Sequence, residues 1–301
     1  MSVRRRIDAS LRWGTLPLLW VLMLCASGMP ANAAPYAAFA GPVPVAITGY
    51  TGDAMEPFIT KDGRFLFFNS RNDPAVDTDL YYASRVDDQT FKFEGPVPGV
   101  NGLTLDAVAS LDAGGNFYFI SNRSYPSTLS TIYTTRFPLA GTAVATLVGG
   151  VSLQRRGWVN FDAEISADGQ TLWFDDGHYS WRGALLAARI TCARRQGGAF
   201  VRDPDCPRML EQVNARGLNY APDISIDGLE LYFTRVASTS SGGRPAIYRT
   251  TRADTHSAFS TPEPLANASG FVEAPSLSAD GHLLYFHRLS EGTFRVFVMR
   301  R

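Results

Sequence analysis

Lysine is almost missing from this 301-residue chain: Lys61 and Lys92 are the only two, so nearly all of its 28 basic residues are arginine. The bias reads as one of overall composition. Basic and acidic residues are equal at 28 each, with no basic stripe to follow a phosphate backbone, so nothing invites nucleic acid. The four histidines, His178, His256, His282 and His287, are too scattered for a metal-ligand spacing. Past the first thirty residues no segment approaches the roughly 18 uninterrupted apolar residues of a membrane helix. There is no nucleophile elbow, no phosphate-cradling glycine loop and no linear Ser-His-Asp arrangement.

What is present begins with a leader. The basic stretch MSVRRRIDASLRWG runs into the apolar TLPLLWVLMLCA and then into ANA before Ala34. Residues 1–33 are expected to be a secretory signal peptide cleaved after Ala33, which places the mature protein, residues 34–301, in the periplasm or outside the cell. Leu24 precedes Cys25 where a lipoprotein needs a small residue, and Asp8 follows the arginine pair where a twin-arginine leader needs an apolar one. Removing Arg4, Arg5, Arg6, Arg12 and Asp8 leaves 24 basic and 27 acidic residues, a net charge of −3. Two cysteines remain, Cys192 and Cys206, and in an oxidising compartment they are expected to form a disulfide.

The mature chain repeats itself. FITKDGRFLFF, ASLDAGGNFYF, EISADGQTLWF, DISIDGLELYF and SLSADGHLLYF each join two strand-like runs through a turn, with turn aspartates Asp62, Asp112, Asp168, Asp227 and Asp280 spaced 50, 56, 59 and 53 residues apart. A hydroxyl residue stands two before each: Thr60, Ser110, Ser166, Ser225 and Ser278. The Gly accepts the positive φ of a tight hairpin. The second unit spells its turn DAGG, one residue longer. Phe68, Phe119, Phe174, Phe233 and Phe286 close the second strands. Third strands follow as DLYYASR, TIYTTRF, GALLAAR, AIYRTTR and RVFVMRR, and weaker fourth strands as FEGPVPGV, ATLVGGV, MLEQV and PEPLA. Five units with four fourth strands leave one wanting. GPVPVAITG near the mature N-terminus echoes GPVPGVNG and is expected to complete the last sheet, closing the ring without an exposed edge.

Pro57, Pro222 and Pro275 five before the turn Asp, the hydroxyl, the Asp-Gly, Leu66, Leu172, Leu231 or Leu284, and the closing Phe together resemble the TolB-type, WD-repeat-like β-propeller repeat. The resemblance covers nearly all of residues 41–301, and Ala107 and Ala163 depart from the Pro position. It implies an all-β fold, a single propeller of five four-stranded blades. A two-sheet sandwich does not normally repeat at this period. The chain lacks the extra N-terminal domain of TolB, so the kinship expected is with the propeller repeat and not with TolB itself.

In propellers of this kind the strand entering the turn is innermost and its start opens on one mouth of the channel. Glu56, Asp106, Asp162, Asp223 and Glu273 fall there. Such a ring admits a cation, holds a partner's basic group, or divides into general acid and base. Alternatively, Arg71, Arg123, Arg235 and Arg288, after the second strands, absorb the carboxylates in ion pairs. Trp158, Trp181 and His178 stand in polar loops of the same face and are candidates for contact, whereas Phe161, Tyr220 and Phe271 are expected to pack. Asn72-Asp73-Pro74 lies in a loop and reads as a turn. No cofactor or structural metal is expected, calcium being the one ion the ring would admit. Two functions follow: a binding module for an envelope protein or peptide, or a carbohydrate-active enzyme or lectin using the funnel carboxylates.

Overall fold

The computed structural model describes residues 37–73, 77–138, 144–237 and 243–301, so the leader and Pro74 lie outside the described residues. Five small sheets form a five-bladed β-propeller. Blade 1 runs through Met55–Ile59, Phe65–Asn69, Leu80–Arg85 and Thr90–Pro96, and blade 2 through Asp106–Leu111, Asn116–Ser121, Ile132–Arg136 and Thr146–Leu147. In blade 3 the innermost strand is broken into Trp158–Val159 and Ala163–Ile165, followed by Thr171–Tyr179, Leu185–Gln196 and Ala199–Arg202. Blade 4 comprises Leu218–Ile224, Glu230–Val236, Pro245–Thr251 and Glu263–Pro264; blade 5 comprises Val272–Leu277, Leu283–Ser290 and Thr293–Arg300.

The N-terminal strand Val43–Pro44 pairs antiparallel with Thr293–Arg300 and supplies the fourth strand of blade 5, as the GPVP echo predicts. The chain then continues onto the neighbouring blade, where Ala46–Thr48 pairs parallel with Thr90–Pro96. This latch ties the first and last blades together. The fourth strand of blade 3 is Ala199–Arg202, not MLEQV; that segment begins in the last residue of a one-turn helix, Cys206–Met209, whose Cys206 is disulfide-bonded to Cys192 with a Cα–Cα distance of 5.9 Å.

Second strands read as continuous apolar runs because both their faces are covered by neighbouring blades. Leu66 and Phe68 face blade 5, whereas Phe67 between them faces blade 2, and all three are fully buried. The same division gives a hydrophobic cluster at each of the five interfaces between adjacent blades. Burying one such aromatic is worth about 2–3 kcal/mol, so the ring is held by its blade interfaces.

The turns work as a small machine. The Ser225 hydroxyl accepts the Glu230 N–H at 2.8 Å and donates to Asp227 Oδ1 at 2.6 Å, while that oxygen also accepts the Leu229 N–H at 3.0 Å. Thr60, Ser166 and Ser278 repeat the pattern. Blade 2 differs. Its hairpin pairs Asp112 with Asn116 where blade 1 pairs Thr60 with Phe65, so its turn is one residue shorter and not longer as the DAGG spelling suggests, because Asp112 takes the place of the hydroxyl, accepting the Asn116 N–H at 2.8 Å. Ser110 is thereby freed from the turn and points into the channel.

Candidate functional site

Two rings of side chains line the channel. The inner ring, set by pairing opposite Phe67, Tyr118, Trp173, Tyr232 and Tyr285, is Phe58, Ser110, Glu164, Asp223 and Ser276. The Ile165, Leu277 and Ile59 N–H groups donate across blade boundaries to Ser110 Oγ, Asp223 Oδ2 and Ser276 Oγ at 2.9, 2.9 and 3.1 Å. Lys61 enters this ring. Its Nζ lies 2.9 Å from Glu164 Oε1 and 3.7 Å from Asp223 Oδ1, with all three side chains under a tenth exposed. Burial opposes the charge on Lys61, but the two carboxylates outweigh it and raise its pKa. Burial pushes Asp223 up to about 8, against the pull of Lys61. The channel leaves about 30 Å³ of free space, room for a water or two.

Two residues nearer the mouth, the innermost strands bulge. Registers shift at Met55/Phe58, Ala107/Ser110, Tyr220/Asp223 and Glu273/Ser276, with Glu56, Val108, Ala221 and Ala274 at φ of 51, 53, 50 and 52°. Each bulge turns an N–H out of its own ladder, and the preceding blade accepts it. Glu56 donates to His287 Nδ1 at 2.9 Å, Val108 to Asn69 Oδ1 at 3.2 Å, Ala221 to Asp162 Oδ2 at 3.1 Å and Ala274 to Thr234 Oγ1 at 3.0 Å. With Nδ1 accepting, the His287 ring donates from Nε2 to Glu273 Oε2, 3.2 Å away.

The mouth therefore gathers Glu56, Asp162, Asp175 and Glu273, with Tyr179, Tyr220, Asn72 and His287 between them. Glu56 Oε1 accepts from Asn72 Nδ2 at 2.9 Å, while its Oε2 is shut off from solvent with no hydrogen-bond partner. Tyr220 donates to Glu273 Oε1, and Asp175 Oδ1 accepts the Phe161 N–H at 3.0 Å. Asp175 Oδ2 is likewise buried without a partner. Burial, then the Asp175 charge, raises Asp162 well above the usual carboxylate range. Burial raises Asp175 to about 7 and, with Asp162 and Glu273 adding repulsion, Glu56 to about 8. Repulsion between Asp162 and Asp175 ties their titrations together, so that ionising one opposes ionising the other. Desolvation and the same carboxyls push up Tyr179 and Tyr220 too.

The arginines lie elsewhere. Arg71 makes a two-pronged pair with Asp53 at 2.9 Å for each bond, Arg235 bonds Asn219 and the Val213 carbonyl, and Arg288 stacks on Phe297. Arg123 pairs with Asp106, which also accepts the Gly102 N–H at 2.6 Å. Asp106 is a buried loop anchor outside the ring, because Asp112 occupies the place of Thr60 and not that of Asp62, so that the position six residues before it lies two short of the place Glu56 holds. None of the ion pairs among the described residues involves Glu56, Asp162 or Asp175, and Glu273 meets only His287.

Blade 3 supplies an aromatic flank. Trp158 stacks on His178 at 4.8 Å and 6°, with the Arg155 guanidinium 5.7 Å from its ring, and Trp181 at the hairpin tip is 87% exposed. Phe161 packs between Tyr179 and Tyr220. Among the described residues no group of His, Cys, Asp and Glu has the arrangement to hold a metal ion, and no described helix is long and apolar enough to cross a membrane.

No family model matches the chain. None of the curated proteins matches it either. Solved structures do resemble it. A glycoside hydrolase is 8% identical over 87% of this chain and 91% of its own, at a TM-score of 0.60. The catalytic domain of a GH62 α-L-arabinofuranosidase from Coprinopsis cinerea is 11% identical over 87% and 96%, at 0.55. A TolB-type protein of Agrobacterium tumefaciens is 19% identical over 82% and 76%, at 0.46. At such identities the likeness shows the propeller fold and no more.

Proposed function

We propose that this chain is an exported propeller of the TolB-type, WD-repeat-like kind, freed of its first 33 residues, that captures a protein or peptide partner by a cationic group at the channel mouth. The observation that carries the reading is the set of carboxyls from blades 1, 3 and 5 with no arginine or lysine paired to them among the described residues. Buried carboxylates are ordinarily neutralised by cations, and at Glu56, Asp162 and Asp175, whose pKa values burial raises, protons take that role. An ammonium entering the mouth replaces those protons, so affinity should rise with pH through the range 7 to 8 where Asp175 and Glu56 titrate. Peptides bearing one lysine, compared with their acetyl-lysine counterparts by fluorescence polarisation, test this, with calcium as a competitor. Glu273→Gln and Asp162→Asn should each weaken capture at least tenfold while leaving the fold intact. Equal binding of acetylated and free peptides would sink the proposal.

A second reading, action on a saccharide, is supported by Glu56, which keeps its proton to about pH 8 as a general acid must, and by the Trp158–His178 stack of blade 3 as a surface for a sugar ring. Release of reducing sugar from an oligosaccharide panel, lost in Glu56→Gln, would favour it over peptide capture.

A further inference from the structure

On the turn face, away from the mouth, the repeat contains a device that one blade leaves incomplete. Three third strands end in an arginine whose Nε bonds the carbonyl of the turn glycine and whose guanidinium stacks on an aromatic ring. Arg195 bonds Gly169 O at 2.9 Å and lies over Phe200; Arg301 bonds Gly281 O at 2.5 Å and lies over Phe39; Arg252 bonds Gly228 O at 2.7 Å and lies over Phe259. The far nitrogens then reach the preceding blade. Arg195 Nη2 donates to Tyr118 Oη at 2.6 Å, and Arg301 donates to both oxygens of Glu230 at 2.9 and 2.5 Å.

Arg252 has no such acceptor in blade 3. Trp173 stands where the neighbours have Tyr118 and Tyr232, and an indole only donates. Thr171 stands where blade 4 has Glu230. Arg252 Nη1 settles for the Thr255 carbonyl at 2.9 Å and Met209 sulfur at 3.6 Å, and Nη2 has no hydrogen-bond partner among the described residues, although the residue is only 9% exposed. Here, between blades 3 and 4, lies a cleft of about 400 Å³.

Its walls define what fits. Arg194, held to Asp203 through Nε at 2.5 Å, adds a second positive charge. Trp173, Ile224 and Ile226 are apolar, and Asp168 and Asp227 stand on the rim. Each rim aspartate spends Oδ1 on its own turn, bonding the Ser166 or Ser225 hydroxyl and a backbone N–H. Asp254, also near Arg252, is engaged with the N–H groups of His256 and Ser257. Desolvation, followed by the charge of Arg194, lowers the Arg252 pKa, and Asp254 and Asp227 only partly offset this. A buried guanidinium with a free edge, facing a cleft, asks for an anionic acceptor.

We infer that the cleft between blades 3 and 4 binds a small zwitterion of the amino-acid type, its carboxylate taken by Arg252 and Arg194 and its ammonium by the Asp168 and Asp227 rim. Isothermal titration of the mature protein with glycine, L-leucine and L-glutamate, each beside its α-carboxamide, and with inorganic phosphate, tests it. The acids should bind and the carboxamides should be at least tenfold weaker. Arg252→Gln should lose the ligand. Trp173→Tyr, which restores the hydroxyl acceptor of the other blades and keeps the arginine, should lose it as well. No heat with any of the three amino acids, binding that ignores the carboxamide change, or binding of phosphate alone would overturn the assignment.

Discussion

Replacing Lys61 with methionine should destabilise the protein by about 3–5 kcal/mol, the range for removing one partner of a buried ion pair. Lys61 projects from the blade 1 turn across the channel and is the cation between Glu164 of blade 3 and Asp223 of blade 4. Without it, the Glu164 carboxylate is left buried with no cation, beside an Asp223 that burial already disposes to hold its proton, in a space that admits a water or two. A domain of this size loses about 2–4 °C per kcal/mol, so the melting midpoint should fall by roughly 10 °C. Adding Glu164→Gln and Asp223→Asn to the variant should restore most of the loss, since the penalty lies in unpaired charge and not in missing packing. A loss below about 1 kcal/mol, or no recovery in the triple variant, would mean the triad does not hold the ring.

Raising the pH should weaken the fold where most proteins are at their firmest. Glu56 and Asp175 have folded pKa values of about 8 and about 7, above the ordinary values of 4.5 and 3.8. For an acid so raised, the folded state holds the proton that the unfolded chain has given up, and unfolding releases it. Stability is then highest below the unfolded pKa, declines from about pH 4 through pH 8, and levels off once the folded groups have ionised too. One pKa unit corresponds to about 1.4 kcal/mol, so the decline between pH 5 and pH 9 should amount to several kcal/mol, shared among the coupled groups. Urea denaturation at those two pH values reads it directly. Glu56→Gln should flatten the slope and be the more stable protein at pH 9; a wild-type curve rising across that window would refute the buried-proton account.

These groups were unevenly legible in the sequence. The Asp-Gly turns and closing phenylalanines locate the blades, because the turn chemistry is local and recurs. The N-terminal closure is legible for the same reason, as a strand missing at one end and spare at the other. Blade 2 misleads, since Asp112 looks like the other turn aspartates but does the work of their hydroxyl, which moves Ser110 into the channel and Asp106 out of the acid ring. Lys61 looks like a compositional remnant; no local pattern announces a residue whose partners lie about 100 and 160 positions further along the chain. The mouth had a usable cue. The residue after the closing phenylalanine is polar in four units, Asn69, Asp175, Thr234 and His287, a poor choice for a buried strand unless a stray N–H needs an acceptor, which the next blade presents to three of them and Phe161 of the same blade to Asp175. Asn72, expected in an ordinary turn, instead donates to Glu56. The absence of arginine from the mouth was not legible at all, because guanidinium reach depends on side-chain direction.

The most direct test of the account is a carboxyl-carbon NMR titration of the mature protein, with Glu56, Asp162 and Asp175 assigned by substitution. Protons held at the mouth near neutrality predict at least two of the three titrating above pH 6, with midpoints that fall when a lysine-bearing peptide is added. Midpoints all below pH 5, unmoved by the peptide, would contradict it.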